Sequence, residues 1–274
     1  MHDSRISAIN IPELINRKEE RGRPHYSPAT IPPEEYAMMI KEYKEPIVNM
    51  ITPRLPRDEF LRRARKVLHE YRIPNLVLVG RERHEDSLPG PGVLEALGLL
   101  RSEVTDHIAL GGICIFNRRS LVPGEFGGKG SGLGEPERVW SKAKAGCEFV
   151  TSQIAFDPKP ALNFLTAYQK LCEKRGTSPL TVFVSLATVP SPTILSLIES
   201  LDVVVPAKVR MRLLGSSRMG KESVKVVAEI LEFIVARAEE DDFQVPLGLQ
   251  IEQLGVNNDE LSLELLDRVY PAVK

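Results

Sequence analysis

The sequence predicts an α/β fold of the TIM (β/α)8-barrel type, organised as one domain over residues 1–274. Three observations carry the prediction. Seven short apolar runs rich in β-branched residues recur along the chain. Amphipathic stretches of ~12–20 residues separate them, the pattern of a parallel sheet buried on both faces. Finally, the first run is followed by the polar, irregular ELINRKEERGRPHYSP, where a doubly wound sheet would carry its glycine fingerprint.

In chain order the expected strands are ISAINI (6–11), PIVNMI (46–51), NLVLVG (75–80), HIALGGICIF (107–116), CEFVTSQIAF (147–156), LTVFVSLATV (180–189) and VPLGLQI (245–251). Of the helices between them, PRDEFLRRARKVLHEY places Phe60, Ala64, Val67 and Leu68 on one face and its arginines on the other. PGVLEALGLLRSE, NFLTAYQKLCEKRG and SPTILSLIESL repeat the pattern, the last with Ser191 as N-cap and Pro192 as first helical residue. KESVKVVAEILEFIVARAEED is the longest. Seven strands are one short of a full barrel, and the deficit falls at the front, where the chain begins almost inside a strand. The first strand is either missing or replaced by a less regular segment.

Composition excludes several classes. With 36 basic and 37 acidic side chains, the net charge of -1 gives no drive toward nucleic acid. No apolar run approaches the ~20 residues of a membrane span, and MHDSRISAIN has no signal-peptide core. Cys114, Cys147 and Cys172 lack CxxC spacing and read as reduced thiols of a cytoplasmic protein, with no metal site.

The glycine-rich GEFGGKGSGLGEPERVW (124–140) resembles a phosphate cradle but fails the test of spacing. With Gly128-Lys129 as the GK pair of a P-loop, the first glycine falls on Pro123 and the Ser/Thr position on Gly130. The dinucleotide pattern fails in both frames, at Leu133 and at Glu135. Backbone amides and Lys129 remain able to hold an anion. The simpler expectation is a loop at the C-terminal rim of the barrel, a candidate lid.

Polar residues at C-terminal strand ends are the candidate site, because barrel enzymes bind ligands there. They include Glu13, Asn49, Arg81, Glu82, Asn117, Arg118, Gln153, Gln250, Glu252 and Gln253. Glu82 is either an acid or hydrogen-bond acceptor at the site, or one half of a rim ion pair with Arg81 or Arg83. Gln153, inside the otherwise apolar VTSQIAF, must satisfy its amide. It either binds a heterocycle or ties neighbouring strands.

The run KAKAGCEFVTSQIAFD (142–157) resembles the methylenetetrahydrofolate reductase family, in which K-x-x-AG-x-x-F precedes a strand reading TQ-x-x-F-D. Lys142, Ala145, Gly146, Phe149, Gln153, Phe156 and Asp157 fill those places. NLVLVGRE matches the strand ending in the family's R-G-D, with Glu82 at the aspartate. PGPGVLEALGLLR, GGICIFNRR and GEPERVWSKAKAG resemble a divergent branch of the family, and the likeness spans essentially the whole chain.

The resemblance implies hydride transfer from NAD(P)H, through FAD or directly, to methylenetetrahydrofolate or a related pterin. It implies Glu82 as a catalytic carboxylate, and Gln153, Phe156 and Gln253 on the substrate. Asn49, Arg81, Asn117, Arg118 and Lys142 would face the cofactor. The family's first-strand glutamate, which protonates the folate nitrogen, has no counterpart here, since Met1 falls just before the family's second strand. Glu13 is a stand-in or simply ends its strand. Two other functions remain open: a barrel completed by a homo-oligomer or a partner subunit, and a methyl-transfer protein of the same ancestry.

Overall fold

The computed structural model describes residues 3–13, 31–80, 88–104, 108–118, 134–255 and 258–273. Its seven strands lie in one sheet in sequence order: β1 Ala8–Ile11, β2 Glu45–Ile51, β3 Asn75–Val79, β4 Ala109–Cys114, β5 Phe149–Ser152, β6 Thr181–Ala187 and β7 Leu247–Glu252. The recorded pairings are parallel throughout. Parallel neighbours in sequence order, with helices in the connections, make a (β/α) barrel arrangement with seven strands among the described residues.

Every expected strand is present. The fifth is shorter than its apolar run, although Gln153 N–H still bonds Cys114 O of β4 and Ala155 N–H bonds Ser185 O of β6. Ile154, Ala155 and Phe156 stay buried without being strand.

The expected helices appear as α2 Arg57–Arg65, continued by a π turn over Lys66–Glu70, α3 Val93–Glu103, α5 Pro158–Arg175, α6 Pro192–Ser200 and α8 Met219–Glu240. Ser191 caps α6, its Oγ accepting from Ile194 N–H at 3.4 Å. Four helices were not anticipated: α1 Pro33–Ile40, α4 Glu135–Lys144, α7 Ala207–Leu214 and α9 Asp259–Val269. Helix α4 corrects the extent of the glycine-rich loop, whose last six residues are helical. Pro136 in its first turn and the acids Glu135 and Glu137 suit a helix N-terminus. The glycines before Gly134 lie outside the described residues.

The chain divides into two compact units, Met1–Ile113 with Lys144–Glu148, and Cys114–Ala143 with Phe149–Lys274. In the first, Val48, Met50, Leu76 and Leu78 of the strands and Phe60, Ala64, Leu97 and Leu100 of the helices are at most 1% exposed. In the second, Val150, Val182, Val184 and Leu186 are fully buried, as are Leu165, Val227 and Ile234 on the helices. Each such aliphatic side chain contributes about 1.5–3 kcal/mol by leaving water. The stripe expected on α2 is the buried one, and Arg62 and Arg65 face solvent.

Gly146 explains one glycine of the 142–157 motif. Its φ of +101° is a conformation that side chains avoid, and a Cβ would lie 2.8 Å from Arg101 Cγ. Arg101 donates from Nε and Nη2 to Gly146 O, from Nη1 to Ile108 O, and also pairs with Glu148. The three cysteines are free and buried. No helix among the described residues is long and apolar enough to cross a membrane.

Candidate functional site

Strand alternation sorts the second unit's sheet into two faces. One carries Val182, Val184 and Leu186 of β6 with Leu247, Leu249 and Ile251 of β7, all apolar. The other carries Phe183, Ser185 and Ala187 with Gly248, Gln250 and Glu252, since Ser185 opposes Gln250 and Ala187 opposes Glu252 in register. Contacts confirm the shared face. A Cβ on Gly248 would sit 2.4 Å from the Phe183 ring, and Phe149 of β5 packs edge-on against that ring at 5.8 Å. Along β6 and β7 this face therefore changes from aromatic at the start to polar at the C-terminal end, where a barrel ligand would bind.

The polar end is built in layers. Ser152 Oγ accepts from Ser185 N–H at 2.9 Å and donates to Gln153 O at 2.8 Å, which stitches β5 to β6. Gln153 is half-buried. Its Nε2 donates to Leu201 O at 3.1 Å, satisfying a carbonyl that the end of α6 would otherwise leave open. Its Oε1 has no partner among the described residues. Gln153 thus ties a helix end, not the neighbouring strands, and leaves one acceptor for something else.

Glu252 closes the row. It is half-buried, and burial pushes its carboxyl up to about 7, opposed by the hydroxyl of Ser185 and the amide of Gln250. Gln250 Nε2 stands 3.4 Å from Glu252 Oε1. Ser185 Oγ is close enough to favour the ionised carboxyl, yet it is buried and meets no partner at full hydrogen-bond geometry. Among the described residues no lysine or arginine pairs with Glu252. It is a carboxylic acid poised near neutrality at a strand end, the property expected of a functional carboxyl. The sequence analysis named its position but assigned it no role, because pattern does not reveal desolvation.

The rim beyond β4 is a structural ion pair. Glu135, 4% exposed, accepts from Ile115 N–H at 3.0 Å and pairs with Arg118 Nε at 2.7 Å. Burial, and then Glu135, pushes the Cys114 thiol well up, so it stays neutral. Arg118 is therefore engaged by a buried carboxylate, and Lys142 on α4 is half-buried with interactions of its own. Asn117 is half-buried just past β4.

In the first unit, Glu13 is fully occupied. Oε2 accepts from Ile51 N–H at 2.6 Å and Oε1 from Arg63 Nη1 at 2.5 Å, while the same guanidinium binds Glu34. Glu13, expected as a stand-in acid or as the end of its strand, is held as a tie between β1, β2 and α2. Asn49 on β2 keeps Oδ1 buried without a partner among the described residues. Phe156 is 2% exposed and belongs to the core, where its ring packs with no open face for substrate. Gln253 is exposed and bonded to Asp259. Arg81 and Glu82 lie outside the described residues, as does His84. No cluster of His, Cys, Asp or Glu among the described residues could hold a metal ion.

No family model and no curated protein matches the chain. Among solved structures it is similar to one described as an uncharacterized protein from Clostridium thermocellum that binds two copies of 5-methyl-5,6,7,8-tetrahydrofolic acid. The TM-score is 0.71 at 20% identity, over 88% of this chain and 79% of that one. At that identity the likeness establishes a shared fold.

Proposed function

We propose that this chain binds a reduced pterin of the tetrahydrofolate class at the C-terminal ends of β5, β6 and β7. The observation that carries the reading is the polar set at the strand ends: Ser185, Gln250 and Glu252 on one face of β6 and β7, and Gln153 just past β5. A pterin ring presents alternating donors and acceptors along its edge, and such a set of amide, hydroxyl and carboxyl groups is the complement it needs. The ligand of the similar Clostridium thermocellum protein supports the same ligand class. Calorimetric titration with 5-methyl-tetrahydrofolate tests the reading directly. Saturable binding that weakens at least tenfold in Gln153→Leu supports it, and no heat of binding by the wild-type chain sinks it.

The activity we propose is reduction of a methylene-carrying folate by a reduced nicotinamide, on a pterin held at these strand ends. FAD is the cofactor that the sequence resemblance implies. The described residues assigned to it do not fit a diphosphate: Arg118 is neutralised by Glu135 at 2.7 Å, and Lys142 is engaged elsewhere. That observation favours a second reading, a folate-binding barrel without chemistry of its own, perfected by another copy or a partner chain. Oxidation of NADH or NADPH on addition of methylenetetrahydrofolate separates the two, and an absorption spectrum near ~450 nm after loading with FAD and desalting reports on the flavin.

A further inference from the structure

Ser185, Gln250 and Glu252 share one face at the ends of β6 and β7, and Ser185 and Gln250 both lie against the Glu252 carboxyl. Ser185 Oγ is buried with no partner at hydrogen-bond geometry. Gln250 reaches Glu252 at 3.4 Å, the long limit of a hydrogen bond. Among the described residues, Ser185 and Gln250 interact with Glu252 and Ala187 lies opposite it in register, none of them charged. The nearest acid in sequence, Asp259 at the start of α9, is bonded to Gln253. A half-buried carboxyl with no cation is costly as an anion, and a ligand that brings its own donors removes the cost.

We infer that Glu252 is the carboxylate that receives the donor edge of a 2-amino-4-oxo heterocycle, the adjacent ring N–H and exocyclic amino group of a reduced pterin. Two parallel N–H donors match two carboxylate oxygens as a guanidinium does, which is the strong, planar form of charge-assisted recognition. Gln250 and Ser185 flank the pair and steady the carboxylate in its ionised state. The inference deepens the folate reading and rests on it. Because burial holds the empty acid protonated up to about 7, binding as the anion expels that proton to solvent.

The test is calorimetry of the full chain with 5-methyl-tetrahydrofolate, in pairs of buffers that differ in ionisation enthalpy, near pH 6 and near pH 8.5. The wild type is expected to release close to one proton per site at the lower pH and little at the higher, with affinity rising about tenfold between them. Glu252→Gln, which copies the shape of the protonated acid and so preserves the fold, is expected to bind ~10–100-fold more weakly at the higher pH, with the linked proton gone. Glu252→Asp keeps an acid but shortens its reach, and is expected to bind weakly while still releasing a proton. A Glu252→Gln protein that binds as tightly as the wild type, or that still releases the proton, overturns the assignment and leaves the folate reading standing. Absence of binding by the wild type overturns both.

Discussion

Glu13 and Glu252 both stand at the C-terminal end of a parallel strand, one in each unit of the chain, and their surroundings make them different chemical groups. Glu13 has a donor on each oxygen, from Ile51 N–H and Arg63. Glu252 has burial, an amide at 3.4 Å and the Ser185 hydroxyl, which favours its ionised form without full hydrogen-bond geometry. The first carboxylate is spent on holding β1, β2 and α2 together. The second is left as an acid whose proton is lost near neutrality. Residue type and place in the strand do not decide a role; the count of compensating donors does.

The largest expected effect breaks the Glu13 side. Arg63→Met leaves Glu13 and Glu34 half-buried without their shared cation and should lower unfolding stability by on the order of 2–3 kcal/mol, less than for a fully buried pair, measured by urea denaturation. On the Glu252 side, Gly248→Ala would drive a methyl group into the Phe183 ring at 2.4 Å. A loss of about 1–3 kcal/mol is expected, together with distortion of the face that carries Glu252.

Next comes the pH response. Glu252 has a folded pKa of about 7 against an ordinary 4.5, so the folded state holds a proton that the unfolded chain releases. The stability it contributes is fully present below about 4.5 and is lost as pH rises through 7. Glu252→Gln should remove that slope and stabilise the protein at about pH 8 by on the order of 1–2 kcal/mol, a figure reduced for the carboxyl's partial exposure. Thermal melts from pH 5 to 8 would show it, and an unchanged slope would mean that Glu252 is solvated like any surface acid.

The smallest change sharpens the comparison. Ser185→Ala removes a group that favours the ionised carboxyl, so the titration midpoint of Glu252 should move upward, followed by its carboxyl carbon resonance. A downward move would contradict the arrangement described.

Much of the fold was legible because its signals are local. β-branched runs such as NLVLV and LTVFVSLA read as strands whatever surrounds them, and the α2 stripe reads as a buried helix face. Helices α1, α7 and α9 were missed since AKVRMRLL and DELSLELLDRV lie among polar residues with weaker periodicity, and tertiary packing selects them. The site was legible by position only. Strand ends placed Gln153 and Glu252 on the same rim, and the family resemblance singled out Gln153 but passed over Glu252. Phe156 looked like a ligand contact in sequence and is buried at 2% exposure with Ile154 and Ala155, a property of its packing that its place in the motif does not record.

The sequence by itself determined the alternation of strand and helix, the number of strands and the end of the sheet at which polar groups collect, all consequences of hydrophobic period and chain order. Only the tertiary structure decided which carboxylate is paired and which is not. That depends on whether Arg63, distant in sequence, swings onto Glu13, and on the fact that β6 offers Glu252 an alanine and a serine where a cation would be needed. Charge compensation is a property of neighbours in space, and no pattern along the chain records it.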